Sequence, residues 1–252
     1  MADPLYSDGR FYDLMHLDQV EDTHFYVKKA QHFGGPLLEI ACGTGRLTLP
    51  IALQGLSISG LDLSHEMLKE AEKKSQAVHI NVDWIHGDCR TFSLNKKFRT
   101  IFIGFNSMLH MKDQNSLESL LGRVNLHLQP DGSFLFDIFN PYIPILTREP
   151  SARFPVMSVE DPEKGEEVYI EESTSYDSAT QLNHVNWFYT INGIKDAKAH
   201  SFVMRCIFPK ELEALLFYNG FEIVEKYGDF DESPFHSDSP KQILICRKLR
   251  KS

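Results

Sequence analysis

Residues 36–46 read PLLEIACGTGR: a short apolar run holding one acidic residue, then a glycine pair opening into a helical pattern. The run from Leu37 to Ala41 has the composition of a buried strand, and Arg46 to Gln54 continues at helical spacing. Between them, Gly43-Thr44-Gly45 makes a turn in which glycine tolerates positive φ and lets backbone come close to a ligand. The N-terminus of the following helix offers unpaired N–H groups. Strand, glycine turn and helix in this order form the nucleotide-cradling element of a doubly wound α/β fold.

What the loop lacks narrows the ligand. A dinucleotide fingerprint places a third glycine where this chain has Thr48, so that helix and strand close around a pyrophosphate. Glu39, four residues before Gly43, is a poor neighbour for pyrophosphate and a good one for an ammonium group. A ligand with an adenosine and an amino-acid tail, and no phosphate, suits the loop better. At these residues the chain resembles the class I S-adenosylmethionine-dependent methyltransferases, whose first motif runs acidic-x-G-x-G-x-G. Glu39, Ala41, Gly43 and Gly45 match it, with Ala41 in place of the first glycine. The resemblance implies cofactor contacts at Glu39, Ala41, Gly43, Thr44 and Gly45.

The register continues downstream. Ser57 to Asp62 reads as a second buried strand ending in a carboxylate, 17 positions after Gly45. A ribose-binding acid is expected about 20 residues beyond such a loop, where two vicinal hydroxyls both donate to it. Leu63 follows, and Ser64 has the right side chain to cap a helix with Glu66 in its first turn. The resemblance adds Leu63 to the cofactor contacts and has Met67 pack on the adenine. Val82 to His86 is a third strand, followed by Gly87-Asp88-Cys89. In the family the aspartate of this motif accepts from the adenine amino group, and the next residue's N–H donates to the ring. Thr100 to Phe105 is a fourth strand leading into Asn106-Ser-Met-Leu-His110. Ligands of open α/β sheets sit at the carboxyl ends of strands, so Glu39, Asp62, Asp88 and Asn106 fall on one rim. Alone, Asp62 or Asp88 would serve equally well as a cap or turn former; their joint register is the signal.

Two tyrosines, Tyr6 and Tyr12, precede the first strand in an aromatic-rich segment. It resembles the N-terminal helix-and-lid segment of small-molecule methyltransferases, where a tyrosine closes over the methionine moiety. Phe105 to His110 is similar to the corresponding stretch of amino-sugar N-methyltransferases, which carry a serine and a histidine there. His110 is the leading candidate for a general base and Tyr12 the second.

The remaining chain supplies the frame. Asp113 to Leu128 is an amphipathic helix with Leu117, Leu120, Leu121, Val124 and Leu128 at core spacing; residues 129–132 read as a turn and Ser133 to Ile138 as a fifth strand. Prolines 141, 144, 150 and 155 then break regular structure. From Pro155 to Ile207 the period changes to two: Val168 to Thr174, Gln181 to Ile191 and Ala197 to Ile207 read as antiparallel strands, with Asn192-Gly193 as a hairpin turn. The acidic stretch Glu160 to Glu172 reads as a solvated face. Pro209 starts a helix stopped by Asn219-Gly220, and Phe221 to Tyr227 and Gln242 to Arg247 complete the sheet.

The expected fold is therefore α/β: a doubly wound seven-stranded, mostly parallel sheet with an antiparallel last strand and an inserted small antiparallel β-sheet. Residues 1–140 and 208–252 are expected to form the cofactor-binding core with its N-terminal lid, and 141–207 the inserted subdomain, placed over the catalytic rim.

At 252 residues, 42% hydrophobic and 24% charged, the composition is that of an ordinary globular chain with one large core. No apolar stretch approaches a membrane span and no leader pattern stands at Met1, so a soluble cytoplasmic protein is expected. Cys42, Cys89, Cys206 and Cys246 are scattered with no C-x-x-C, which implies reduced thiols and no structural metal. A net charge of −9 disfavours a nucleic-acid partner. The basic cluster Arg247 to Lys251 reads as a solvated tail. The expected activity is methyl transfer from S-adenosylmethionine to N or O of a small-molecule acceptor by a monomer or homodimer. An NAD(P)-dependent oxidoreductase and a non-catalytic S-adenosylmethionine-binding protein stay open as alternatives.

Overall fold

A computed structural model describes residues 6–249. Two helices come first, α1 (Gly9–Met15), capped by the Asp8 side chain, and α2 (Glu21–Phe33). The core then alternates β1 (Leu37–Ile40), α3 (Thr48–Leu53), β2 (Ile58–Asp62), α4 (His65–Ala77), β3 (Asp83–His86) and β4 (Phe98–Ile103). A 3₁₀ turn (Ser107–His110), α5 (Gln114–His127) and β5 (Leu128–Phe139) follow. After a one-turn helix α6 (Ile143–Leu146) come β6 (Phe154–Asp161), β7 (Glu166–Asp177), β8 (Leu182–Ile191) and β9 (Ile194–Arg205). The chain returns through α7 (Pro209–Tyr218), β10 (Phe221–Tyr227) and β11 (Lys241–Lys248).

Seven strands form one sheet in the order β10-β11-β5-β4-β1-β2-β3. β1 pairs in parallel with β2 and β4, as do β2 with β3 and β4 with β5, while β11 runs antiparallel to both β5 and β10. The period-2 alternation of strands splits the core into two layers. Leu38, Ile40, Ile101, Ile103 and Phe136 pack under the leucines of α5 and α7. Leu37, Phe102, Leu135, Ile243 and Ile245 face Phe25, Tyr26 and Ala30 of α2 and Ile51 of α3. Helices on both faces make the sheet doubly wound, as its sequence pattern predicts.

The second sheet, β6-β7-β8-β9, is wholly antiparallel. Asn192 and Gly193 turn its last hairpin with φ of 49° and 79°, the paired positive values that a tight hairpin turn needs. Its apolar face, built on Val168, Ile170, Val185, Trp187, Tyr189 and Phe202, receives Phe11 and Met15 of α1. The sheet thus covers the rim through α1.

Several sequence expectations need correction. α3 begins at Thr48 and has six residues, because Thr44 to Leu47 is spent on turns. Residues 129–132 lie inside β5: Leu128 pairs with Phe98 and Ser133 with Thr100, so the turn-like tetrapeptide bulges out of a continuing strand. β6 escaped notice because Pro155 and mixed polarity obscure its alternation, and α2 because its apolar positions are few. Asp161, read as part of a solvated acidic face, is buried and takes two hydrogen bonds from Arg10 of α1 at 2.8 and 2.6 Å. Among the described residues no helix is long and apolar enough to cross a membrane. All four cysteines are free. The basic cluster lies partly outside the described residues.

Candidate active site

A cavity of about 440 Å³ opens at the carboxyl ends of β1 to β4. Its floor is the glycine loop. Gly43 has φ +54°, and a Cβ there would stand 3.3 Å from the Met67 methyl carbon. Ala41 is also left-handed, with φ 57°, so the position that the family motif gives to glycine demands the same backbone here. Both residues line the cavity.

Asp62 ends β2 and ties the loop together. Its carboxylate accepts from Gly43 N at 2.8 Å and from Ser64 N at 2.7 Å. Burial pushes its pKa up, and the Ser64 and Gly43 donors offset part of that rise. Two donors leave acceptor positions free on the same oxygens. Ser64 caps α4 by accepting from Met67 N, and its hydroxyl donates to Tyr6 O at 2.9 Å. Met67, 2% exposed, presents its side chain to the cavity wall. Leu63, Asp88 and Cys89 continue that wall.

The opposite wall is aromatic. Phe105 and Asn106 take left-handed φ of 56° and 60°, turning the chain sharply out of β4. Met108 and Leu109, 1% and 0% exposed, anchor the 3₁₀ turn in the core, which leaves Ser107 and His110 on the cavity. Buried Asp137 of β5 fixes the turn: it accepts from Phe105 N at 2.7 Å, Tyr26 Oη at 2.9 Å and Lys241 Nζ at 3.2 Å. His110 Nε2 lies 2.8 Å from Tyr6 Oη, and the Tyr6 ring centroid lies 6.0 Å from that of Tyr12.

The structure gathers ten of the sequence-selected residues on this cavity: Tyr6, Tyr12, Ala41, Gly43 and Asp62, then Leu63, Met67, Asp88, Cys89 and His110. Four others are placed differently. Glu39 and Thr44 reach only a side cavity of about 30 Å³ shared with Tyr12, Arg46 and Phe105. Glu39 is buried and accepts from the Thr48 hydroxyl, so Thr48, which the sequence marked as a missing glycine, is the partner of the acid. Burial pushes the Glu39 carboxyl up to about 8 against the opposing pull of Thr48 and Arg46. Thr44 donates to Asp13 of α1 at 2.5 Å. Gly45 lines neither cavity; its φ is +77° and a Cβ would meet Trp84 at 2.6 Å, so it serves packing. Asn106 turns away from the cavity toward Lys241, at 3.5 Å. Burial pushes the Tyr12 phenol pKa well up, against the opposing pull of Arg46.

Sequence reasoning missed the supports. Arg46 makes a bidentate pair with Asp22 at 2.8 and 2.5 Å and lies 4.9 Å from the Phe105 ring centroid. His16 packs its ring on Tyr12 and Phe105, and burial together with the Arg46 charge lowers its pKa to about 4, which keeps it neutral. Asp13 joins α1 to the core through Thr44 and Lys74, the latter at 2.6 Å. The one readable signal was Asp137, a charge inside the apolar run FLFDIF. Among the described residues no group of three or more His, Cys, Asp or Glu could hold a metal ion.

Residues 37–132 match the family described as methyltransferase domain. A dTDP-3-amino-3,6-dideoxy-alpha-D-glucopyranose N,N-dimethyltransferase of Streptomyces fradiae is 32% identical over 131 residues, 49% of this chain and 50% of that one. The chain therefore spans about half the length of that curated relative. A glycine/sarcosine N-methyltransferase of Aphanothece halophytica is 24% identical over 92% of this chain and 83% of its own. A solved structure of an S-adenosylmethionine-dependent methyltransferase from Clostridium acetobutylicum superposes with a TM-score of 0.79 at 20% identity, covering 95% of this chain and 97% of that one. Residues 37–132 are thus similar to the methyltransferase domain family, and the fold is that of a solved S-adenosylmethionine-dependent methyltransferase.

Proposed function

We propose that the protein binds S-adenosylmethionine in the 440 Å³ cavity and transfers its methyl group to an amine nitrogen of a small-molecule acceptor. The observation that carries this reading is the joint presence of Gly43, Asp62 and Asp88 on one cavity wall. The residues fit the group: Gly43 leaves room for its approach, Asp62 keeps acceptor positions for two ribose hydroxyls, Met67 offers an apolar face, and Asp88 offers an ionised acceptor to the base. When bound, S-adenosylmethionine supplies a methyl group on a sulfonium sulfur, which leaves as the neutral thioether.

Names of relatives favour nitrogen over oxygen, since two of them are described as N-methyltransferases. A neutral amine attacks with its own lone pair and sheds its proton after transfer, so the site's task is alignment and exclusion of water. Tyr6, Tyr12 and Phe105 supply the apolar wall for both, and burial keeps Tyr12 a neutral phenol. His110, hydrogen-bonded to Tyr6, stands where it would take the departing proton. α1 closes the site, held to the core by Asp13 and to the second sheet by Arg10. We assign residues 1–140 and 208–252 to the methyl-transfer core and 141–207 to a subdomain that carries the lid.

The test is incubation with methyl-labelled S-adenosylmethionine and a panel of primary amines, including amino sugars and glycine, beside their hydroxyl counterparts. Label on nitrogen supports the reading. Label on oxygen alone, or no turnover with any acceptor despite tight cofactor binding, contradicts it.

A further inference from the structure

α1 has seven residues, too few to hold helical order or position without its neighbours. Its side chains divide at i,i+4 spacing into pairs that face different elements. Phe11 and Met15 enter the apolar face of the second sheet. Asp13 binds Thr44 at 2.5 Å and Lys74 at 2.6 Å, and Gly9 lies so close to α4 and the glycine loop that a Cβ there would stand 3.0 Å from Glu70 Cβ and 3.1 Å from Thr44 Cγ2. Tyr12 and His16 meet edge to face with ring centroids 4.4 Å apart, and Tyr12 lines both the main cavity and the side cavity that holds Glu39 and Arg46.

Arg10 reaches out of α1 to Asp161, where β6 ends and the turn at 162–165 begins. The turn has already fixed the receiving carboxylate. Asp161 Oδ1 accepts from Glu163 N at 3.1 Å and from Lys164 N at 3.3 Å, and the side chain is 0% exposed. Arg10 donates from Nη1 to Oδ1 at 2.8 Å and from Nη2 to Oδ2 at 2.6 Å. A fork of this kind fixes angle as well as distance. The apolar grip of Phe11 and Met15 does not, since hydrophobic contact is non-directional and lets a short helix slide or roll. Asp13 is one tether, about which α1 could still swing. Arg10 on Asp161 supplies the second, on a different element.

We infer that Arg10, anchored on Asp161, is a positioning residue for the cofactor's amino-acid tail: it sets the roll of α1 that presents Tyr12 to the end of the cavity beside Glu39 and Arg46. The second sheet thereby governs cofactor binding although none of its described residues lines the cavity. The inference rests on the cofactor reading above. It concerns the tail and not the adenosyl group, because Asp62, Met67 and Asp88 belong to β2, α4 and the loop after β3, which Arg10 does not touch.

The experiment measures dissociation constants of S-adenosylhomocysteine and of 5′-methylthioadenosine, the adenosyl thioether without the amino-acid tail. The proteins are the parent, Arg10→Ala, Arg10→Lys, Tyr12→Ala and the double variant Arg10→Ala/Tyr12→Ala. Lys164 Nζ, 3.9 Å from Asp161 Oδ2, still faces the buried carboxylate when Arg10 is removed, which favours a folded variant. Arg10→Ala should weaken S-adenosylhomocysteine by about tenfold, the scale of one well-made contact, and methylthioadenosine by less than about twofold. Arg10→Lys should fall in between, since an ammonium lacks the planar fork. In the Tyr12→Ala background, removing Arg10 should weaken S-adenosylhomocysteine by less than about twofold, because the side chain it positions is gone. Equal loss for both ligands would mean that Arg10 only supports the fold, and an undiminished effect in the absence of Tyr12 would mean that it acts by another route. Either result overturns the inference while the cofactor reading stands, as does unchanged binding of both ligands. If Arg10→Ala does not unfold cooperatively, Arg10→Lys decides by the same tail-selective loss. If the parent binds neither compound, the cofactor reading itself fails and takes the inference with it.

Discussion

Replacing Asp62 with alanine removes the knot between the glycine loop and the start of α4. The carboxylate accepts two backbone N–H groups at 2.8 and 2.7 Å and, in the proposed complex, two ribose hydroxyls. Hydrogen bonds to an ionised acceptor contribute about 1.5–3 kcal/mol each, part of which water restores on an open rim. The expected loss in S-adenosylhomocysteine binding is about 2–4 kcal/mol, or one to three decades in affinity. The backbone bonds add a second effect that an open, purely ligand-facing rim would not show: stability should fall by about 1–2 kcal/mol. Asp62→Asn should lose less on both counts, because its amide keeps one acceptor oxygen. Calorimetric titration gives the affinity and urea unfolding the stability. A ligand lacking both ribose hydroxyls separates the two roles, since the gap between parent and Asp62→Ala should narrow with it by at least a decade. An undiminished gap would show that Asp62 acts through the loop alone, and unchanged binding of both ligands would refute the reasoning outright.

Three further substitutions probe the supports. Gly45→Ala forces a Cβ to within 2.6 Å of Trp84 at a φ of +77°, and should cost about 2–4 kcal/mol of stability; an unfolding midpoint equal to the parent's would remove Gly45 from the packing account. Asp137→Ala leaves Phe105 N without its acceptor and Lys241 without its partner, and should cost about 3–5 kcal/mol in urea unfolding; a loss under 1 kcal/mol would show that the turn holds itself. Glu39 rises on folding from 4.5 to about 8, so the folded state keeps its proton where the unfolded chain gives it up. Its contribution is full below pH 4.5 and is lost as pH climbs toward 8, on the order of 5 kcal/mol. Stability measured across that window should fall less steeply in Glu39→Gln than in the parent, and parallel curves would contradict the burial argument.

How legible the fold was depended on periodicity. The parallel core announces itself as apolar runs ending in Asp62 and the glycine loop, because strands buried on both faces need no alternation. Asn192-Gly193 marks its hairpin for an equally local reason. β6 and the bulge at 129–132 stayed hidden, since their pairing is decided by neighbours distant in the chain. The cavity residues that were found are those that loops and strand ends place by register. Glu39, Thr44, Gly45 and Asn106 lie off the main cavity because which side a loop residue faces depends on tertiary partners: Thr48, Asp13, Trp84 and Lys241. The network of Arg46, Asp22 and His16 has no sequence signature, being assembled from three separate elements around one aromatic ring.

The central claim is that the cavity at the ends of β1 to β4 takes an adenosyl amino acid. Calorimetric titration of the purified protein with S-adenosylhomocysteine, beside identical titrations with NAD and ATP, tests it most directly. The account predicts one site per chain with micromolar affinity for S-adenosylhomocysteine, abolished by Gly43→Val in a protein that still unfolds cooperatively, and no heat with the other two. Binding of NAD with none of S-adenosylhomocysteine would contradict it.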